Sequence, residues 1–199
     1  MMSRRDFWLV APYAAWMIMM AALPATALCY AVRGAATAVL LLFSLAKSGA
    51  LKEEGGCTPS AVSVWGAGLV AGIAVFAIWV APEELLGTAG ATDAGSSPYS
   101  PATCGWPLTV AKLAASAFVI PAAEELFFRK WLVDFAGFWW MVALFAVEHG
   151  DRWHVGALAG IVYGVLARRF GLKSAIIAHS VTNLVLGLHV IFFNRWTYW

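Results

Sequence analysis

The sequence predicts an all-α, polytopic transmembrane helical bundle of about seven spans, and three observations predict it. Of 199 residues, 62% are hydrophobic and only 12% are charged, about half the ~25% charge of a soluble domain. Mean hydropathy is +0.77, a value that suits lipid better than water. The apolar residues gather into runs of span length, divided by stretches rich in Gly, Pro and charge. Composition therefore excludes a disordered chain, a secreted disulfide scaffold and an ordinary cytosolic enzyme. The lipid bilayer is the expected partner. A net charge of +2 leaves no basic excess for nucleic acid. Cys29, Cys57 and Cys104 form neither a CxxC pair nor a disulfide framework and read as free structural thiols.

A span needs about 20 mostly apolar residues, and the runs follow in order. The first is Phe7–Leu23, ended by Pro24, and the second Tyr30–Leu45; a polar stretch, Lys47–Pro59, follows. The third is Ala61–Ala81, followed by the long polar loop Pro82–Pro107. The fourth, Leu108–Val133, is interrupted by Pro121; the fifth is Phe135–His149, the sixth Val155–Phe170 and the seventh Ser174–Phe193. Residues 1–199 read as a single integral membrane domain with a motif region over about 108–193. The Arg4-Arg5 start and the Ala25-Thr26-Ala27 site resemble a cleaved leader, but the apolar run holds Pro12 and exceeds the usual length of a leader's apolar region. It reads as a span.

Lys and Arg set orientation. With the N-terminus cytoplasmic, nine fall in inside loops (Arg4, Arg5, Lys47, Lys52, Arg129, Lys130, Arg168, Arg169, Lys173) and three outside (Arg33, Arg152, Arg195). Lys112 lies within a span, and Trp196, Tyr198 and Trp199 read as an interfacial aromatic anchor.

Ionisable residues inside spans cost about 2.5 kcal/mol or more at the bilayer centre and mark function by default. Three sets stand out. Glu125 and Arg129 are four apart, acid first, the favoured order for an ion pair. Glu124 is rotated about 100° away and left without that partner. Pro121 cannot donate a backbone hydrogen bond, which opens a carbonyl near Ala117 and gives water a place. The doublets Glu53-Glu54 and Glu83-Glu84 lie in polar loops and have Thr58 and Thr88 where Glu124-Glu125 has Arg129. The second set is Phe145 with His149, which share a face; the third is His179 with Asn183, likewise four apart. Counting from the inside turns, Glu124 lies about 15 Å deep, His149 about 20 Å, His179 about 10 Å and Asn183 about 16 Å. The four groups thus fall within about two helical turns of one depth. His154 reads as interfacial, His189 as a packing residue, Glu148 as supporting or loop, and Met17, Met19 and Met20 as lipid-facing or packing.

A carboxylate, two imidazoles and an amide at one depth suit hydrolysis. A carboxylate stripped of water is a stronger base and can take a proton from water attacking a peptide carbonyl. Imidazole and amide can donate to the developing oxyanion. Taken singly, the sets also read as a structural ion pair, a helix-end histidine and interhelical glue. Glu124, His149 and His179 could also ligate Zn²⁺, but there is no HExxH string and the constellation needs no metal. A non-catalytic membrane scaffold and a proton-coupled transporter are the alternatives.

Glu124-Glu125-Leu126-Phe127-Phe128-Arg129, Phe145-Ala146-Val147-Glu148-His149 and His179-Ser180-Val181-Thr182-Asn183 resemble the three motifs of the CAAX-prenyl-protease/bacteriocin-processing family of glutamic intramembrane proteases. The resemblance implies a metal-free endopeptidase without cofactor. In it Glu124 is the general base, His149 assists, His179 and Asn183 form the oxyanion hole, and Glu125, Arg129 and Phe145 are supporting. The stretch from His149-Gly150-Asp151-Arg152-Trp153 to the aromatic tail looks closer to a bacterial branch associated with exosortase-type C-terminal sorting. That likeness implies a bacterial inner-membrane protein and a membrane-anchored protein tail as substrate.

Overall fold

The computed structural model describes residues 3–51, 59–85 and 97–199. Among them are seven helices and no strands: α1 (Arg4–Ala22), α2 (Ala27–Ser48), α3 (Ala61–Leu85), α4 (Pro101–Ala136), α5 (Phe138–Glu148), α6 (Trp153–Phe170) and α7 (Leu172–Phe193). Four of these, α2, α3, α4 and α7, are long and apolar enough to cross a membrane. The chain is an all-α integral membrane protein. Its fifth expected span is shorter than the sequence suggested: α5 has 11 residues and rises about 16 Å at 1.5 Å per residue, roughly half a bilayer core. Lys52, Glu53, Glu54, Cys57, Thr58 and Thr88 lie outside the described residues.

Local chemistry explains the helix ends. Ser3 and Asp6 cap α1 reciprocally, satisfying two orphan donors. Thr26 caps α2 through the Cys29 amide and Ser100 caps α4 through the Thr103 amide. The expected loop Pro82–Pro107 is shorter at both ends: α3 continues through Leu85, and α4 begins at Pro101 with a bend at Gly105, where φ is +78°. Prolines in a helix's first turn lose no hydrogen bond.

Small residues set the packing, as expected where lipid gives helices no hydrophobic drive to associate. Gly68 and Gly72 let α3 lie against α7; a Cβ on Gly72 would come within 2.6 Å of the Ala178 carbonyl. Thr182 of α7 donates to the Gly72 carbonyl at 2.8 Å. On α6, Gly156, Gly160 and Gly164 receive His149, Phe145 and Phe138 of α5 and its cap. Around these contacts Phe128, Met141, Phe145, Tyr163 and Ala178 form the main buried core. α1 joins it through Tyr13, whose ring lies 4.6 Å from that of Phe127 and 5.3 Å from that of Phe128.

Two cations expected in loops are inside the bundle. Arg33 lies in α2 and is 1% exposed. It donates to the Cys29 and Pro24 carbonyls and lies 5.7 Å from the Trp16 and Tyr30 rings. Arg129 is also buried and is described with the site.

Candidate functional site

α4 is the element that assembles the site, and its backbone departs from a plain α-helix. Residues Ala115–Val119 and Leu126–Leu132 are π-helical, with α-helical Ile120–Glu125 between them. In the first π turn the Ile120 amide bonds the Ala115 carbonyl, five residues back. By the same register an amide at position 121 would bond Ser116, but Pro121 has none. The open acceptor expected near Ala117 is the Ser116 carbonyl, and Asn183 of α7 donates its Nδ2 to it at 3.0 Å. The span passes Pro121 without a break.

Glu124 and Glu125 project from the central turn into different surroundings. Glu125 is fully buried, with Oε1 3.1 Å from the Arg129 Nη1. The expected pair forms, but deep in the protein rather than at the membrane edge. Arg129 is 6% exposed, with its guanidinium 4.0 Å from the Phe145 ring and 5.5 Å from that of Tyr163, so aromatic faces supply the rest of its environment. The sequence reading missed a second partner: Glu125 Oε1 also accepts from His179 Nδ1 at 2.9 Å. Glu124 Oε2 lies 3.6 Å from the opposite nitrogen, His179 Nε2. One imidazole is thus flanked by both members of the doublet.

His149 caps the C-terminal end of α5. Its Nδ1 lies 2.6 Å from the Phe145 carbonyl. A carbonyl can only accept, so Nδ1 carries the proton and Nε2 is the ring's acceptor. Phe145 stands between the two histidines, its ring centre 4.6 Å from that of His149 and 5.8 Å from that of His179. Glu124, Phe145, His149, His179 and Asn183 all line one cavity of about 190 Å³, well above the ~10–15 Å³ that one water needs. Glu125 and Arg129 stand behind this wall rather than in it.

Other wall residues carried no signal of their own in the sequence. Tyr163 of α6 stacks on His179 with ring centres 4.9 Å apart and donates to Thr182 at 2.7 Å. Trp79 of α3 packs edge-on to His149 at 5.3 Å. Tyr198 and Trp199 also line the cavity: the aromatic tail folds back onto the bundle, and Trp196 is buried, unlike the expected interfacial anchor. His189 likewise has a partner the sequence did not suggest, Glu84 Oε1 at 3.3 Å. Glu83 and Glu84 belong to the last turn of α3 rather than a loop and pair with Arg152 and Arg195. Cys29 and Cys104 are free thiols. Among the described residues no three His, Cys, Asp or Glu side chains come together as a metal-holding group.

Residues 106–185 match the Rce1-like family model, type II CAAX prenyl endopeptidase Rce1-like. This stretch takes in all seven residues singled out above, from Glu124 to Asn183; residues 1–105 and 186–199 lie outside it. No curated protein and no solved structure matches the chain. Over residues 106–185 this membrane protein is similar to the Rce1-like family, a family of membrane endopeptidases.

Proposed function

We propose that this Rce1-like protein is a glutamic intramembrane endopeptidase that cleaves a membrane-anchored protein tail by direct attack of water, without metal or other cofactor. The observation that carries the reading is the placement of Glu124: its carboxylate faces His179 at 3.6 Å and shares a cavity of about 190 Å³ with His149 and Asn183.

In this mechanism Glu124 takes a proton from water as its oxygen attacks the scissile carbonyl, and His149 holds that water through its acceptor Nε2. The proton on Glu124 is within reach of His179 Nε2. Glu125, bonded to the other ring nitrogen at 2.9 Å, fixes the ring and favours the imidazolium, as the acid of a Ser-His-Asp triad does. The protonated Nε2 and the Asn183 amide then donate to the oxyanion. One Asn183 hydrogen is held by Ser116 and the second is left for the substrate. Collapse of the intermediate returns the proton to the leaving amine and yields a carboxylate and an amine. Few water dipoles compete inside the bundle, which strengthens each of these interactions.

The substrate in this reading is the hydrophobic tail of an exported protein in a bacterial inner membrane, within a C-terminal sorting system. In this reading the N-terminus is inside, as the loop charges suggest, and the ends of α3 and α7 near the cavity face outward, the side from which an exported tail arrives. The test is a comparison of mature protein termini, by mass spectrometry, in cells with and without the gene. A tail whose trimming returns with the wild-type protein and not with Glu124→Gln supports the proposal; trimming restored equally by both removes Glu124 from the mechanism.

A further inference from the structure

The cavity wall is built mainly from helices, and helices packed through close glycine contacts do not part easily. One portion of the wall is different. α7 ends at Asn194 in the left-handed conformation, φ 54°, and the chain turns back as Arg195–Trp199 across the bundle end. Tyr198 and Trp199 of this short segment line the cavity. Both lie outside residues 106–185, the stretch that matches the Rce1-like family model.

Side chains fasten the segment at three points. Arg195 makes two hydrogen bonds of 3.0 Å to the Glu84 carboxylate at the end of α3. Arg152, itself paired with Glu83 at 2.8 Å, lies 4.3 Å from the Tyr198 ring. Trp199 rests against Gly187, where an added Cβ would come within 2.9 Å of the indole, and its ring lies 4.7 Å from the Lys112 ammonium. The two ion pairs keep 22–33% side-chain exposure, and solvent-exposed pairs are weak fasteners. The cavity they border, about 190 Å³, is smaller than the ~300–1,000 Å³ of typical small-molecule sites.

We propose that residues 195–199 are a strap that swings away to admit the substrate and closes behind it, with Glu84–Arg195 as its clasp. The proposal rests on the peptidase reading, because a chain must reach Glu124 for the strap to matter. With the strap in place Tyr198 and Trp199 narrow the cavity; with the strap swung away that side of the wall is widened.

The test reads access rather than cleavage. In the full-length protein with Cys29, Cys57 and Cys104 replaced by Ser, Ser116→Cys places a thiol in the cavity wall. Its rate of reaction with a charged, water-soluble maleimide is measured in detergent micelles. Glu84→Gln and Arg195→Gln are expected to raise that rate several-fold. A disulfide formed between Glu84→Cys and Arg195→Cys is expected to lower it, and reduction to restore it. The reversible disulfide keeps the test meaningful if the Gln variants unfold. Equal rates in the locked and reduced states overturn the strap. Gated reactivity without any Glu124-dependent cleavage overturns the peptidase reading and leaves the strap standing; Glu124-dependent cleavage with ungated reactivity does the reverse.

Discussion

Asn183 donates to the carbonyl of Ser116 at 3.0 Å, across the interface between the fourth and seventh helices. The acceptor is free because the π register directs it to position 121, where proline has no amide. One bond therefore joins a backbone irregularity to the side chain proposed to stabilise the oxyanion. Asn183→Ala should lower kcat by about 10²–10³-fold, the usual effect of removing such a donor, with little change in thermal stability. Steady-state cleavage and a melting curve on the same sample check it. Pro121→Ala restores the competing amide and should also lower kcat, without touching the cavity.

Glu124→Gln and Glu125→Gln should separate chemistry from architecture. The first removes the proposed base and should abolish cleavage, a loss of about 10²–10⁴-fold or more, in a protein that melts normally. The second unpairs Arg129 and His179 together at a fully buried position. Breaking a buried ion pair costs about 3–5 kcal/mol, so its melting temperature should fall sharply. A stable, inactive Glu125→Gln variant would exchange the two assignments.

His149 depends on the absence of a neighbouring methyl group. A Cβ on Gly156 would stand 2.9 Å from the imidazole Cγ, too close for the ring to keep its place. Gly156→Ala should cut kcat more than it raises KM. Gly66 is the control: nothing lies within 4 Å of its Cβ position, and Gly66→Ala should leave activity intact while gaining about 0.5–1 kcal/mol of helix stability.

Chelation separates the glutamic mechanism from a metal-dependent one. Cleavage should continue in excess EDTA and gain nothing from added Zn²⁺. Loss of activity on chelation, restored by Zn²⁺ alone, would make Glu124, His149 and His179 ligands instead.

The helical class and most span positions were legible because hydrophobic run length responds to the bilayer rather than to tertiary detail. The pairing of Glu125 with Arg129 was legible because four-residue spacing on a helix fixes it locally. The contact from Glu125 to His179 was not, since the two are 54 residues apart and only the packing of the fourth helix against the seventh brings them together. Pro121 placed an open carbonyl near Ala117, but proline alone does not reveal whether the local register is α or π, and so could not single out Ser116. Trp196–Trp199 suggested an anchor at the interface; its inward fold depends on Glu84 and Lys112, which no local pattern links to it.

The widened turns of the fourth helix have a consequence for how its length can change. A turn closed by bonds five residues apart holds one more residue than one closed by bonds four apart. Deleting a single residue within Ala115–Val119 should let that turn tighten to ordinary α geometry while both flanks keep their angular phase. Glu124 would stay aimed as before, yet Ser116 would no longer be offered to Asn183. Such a shortened protein is expected to insert and fold normally and to be catalytically impaired, a combination that shortening an ordinary helix by one residue would not produce.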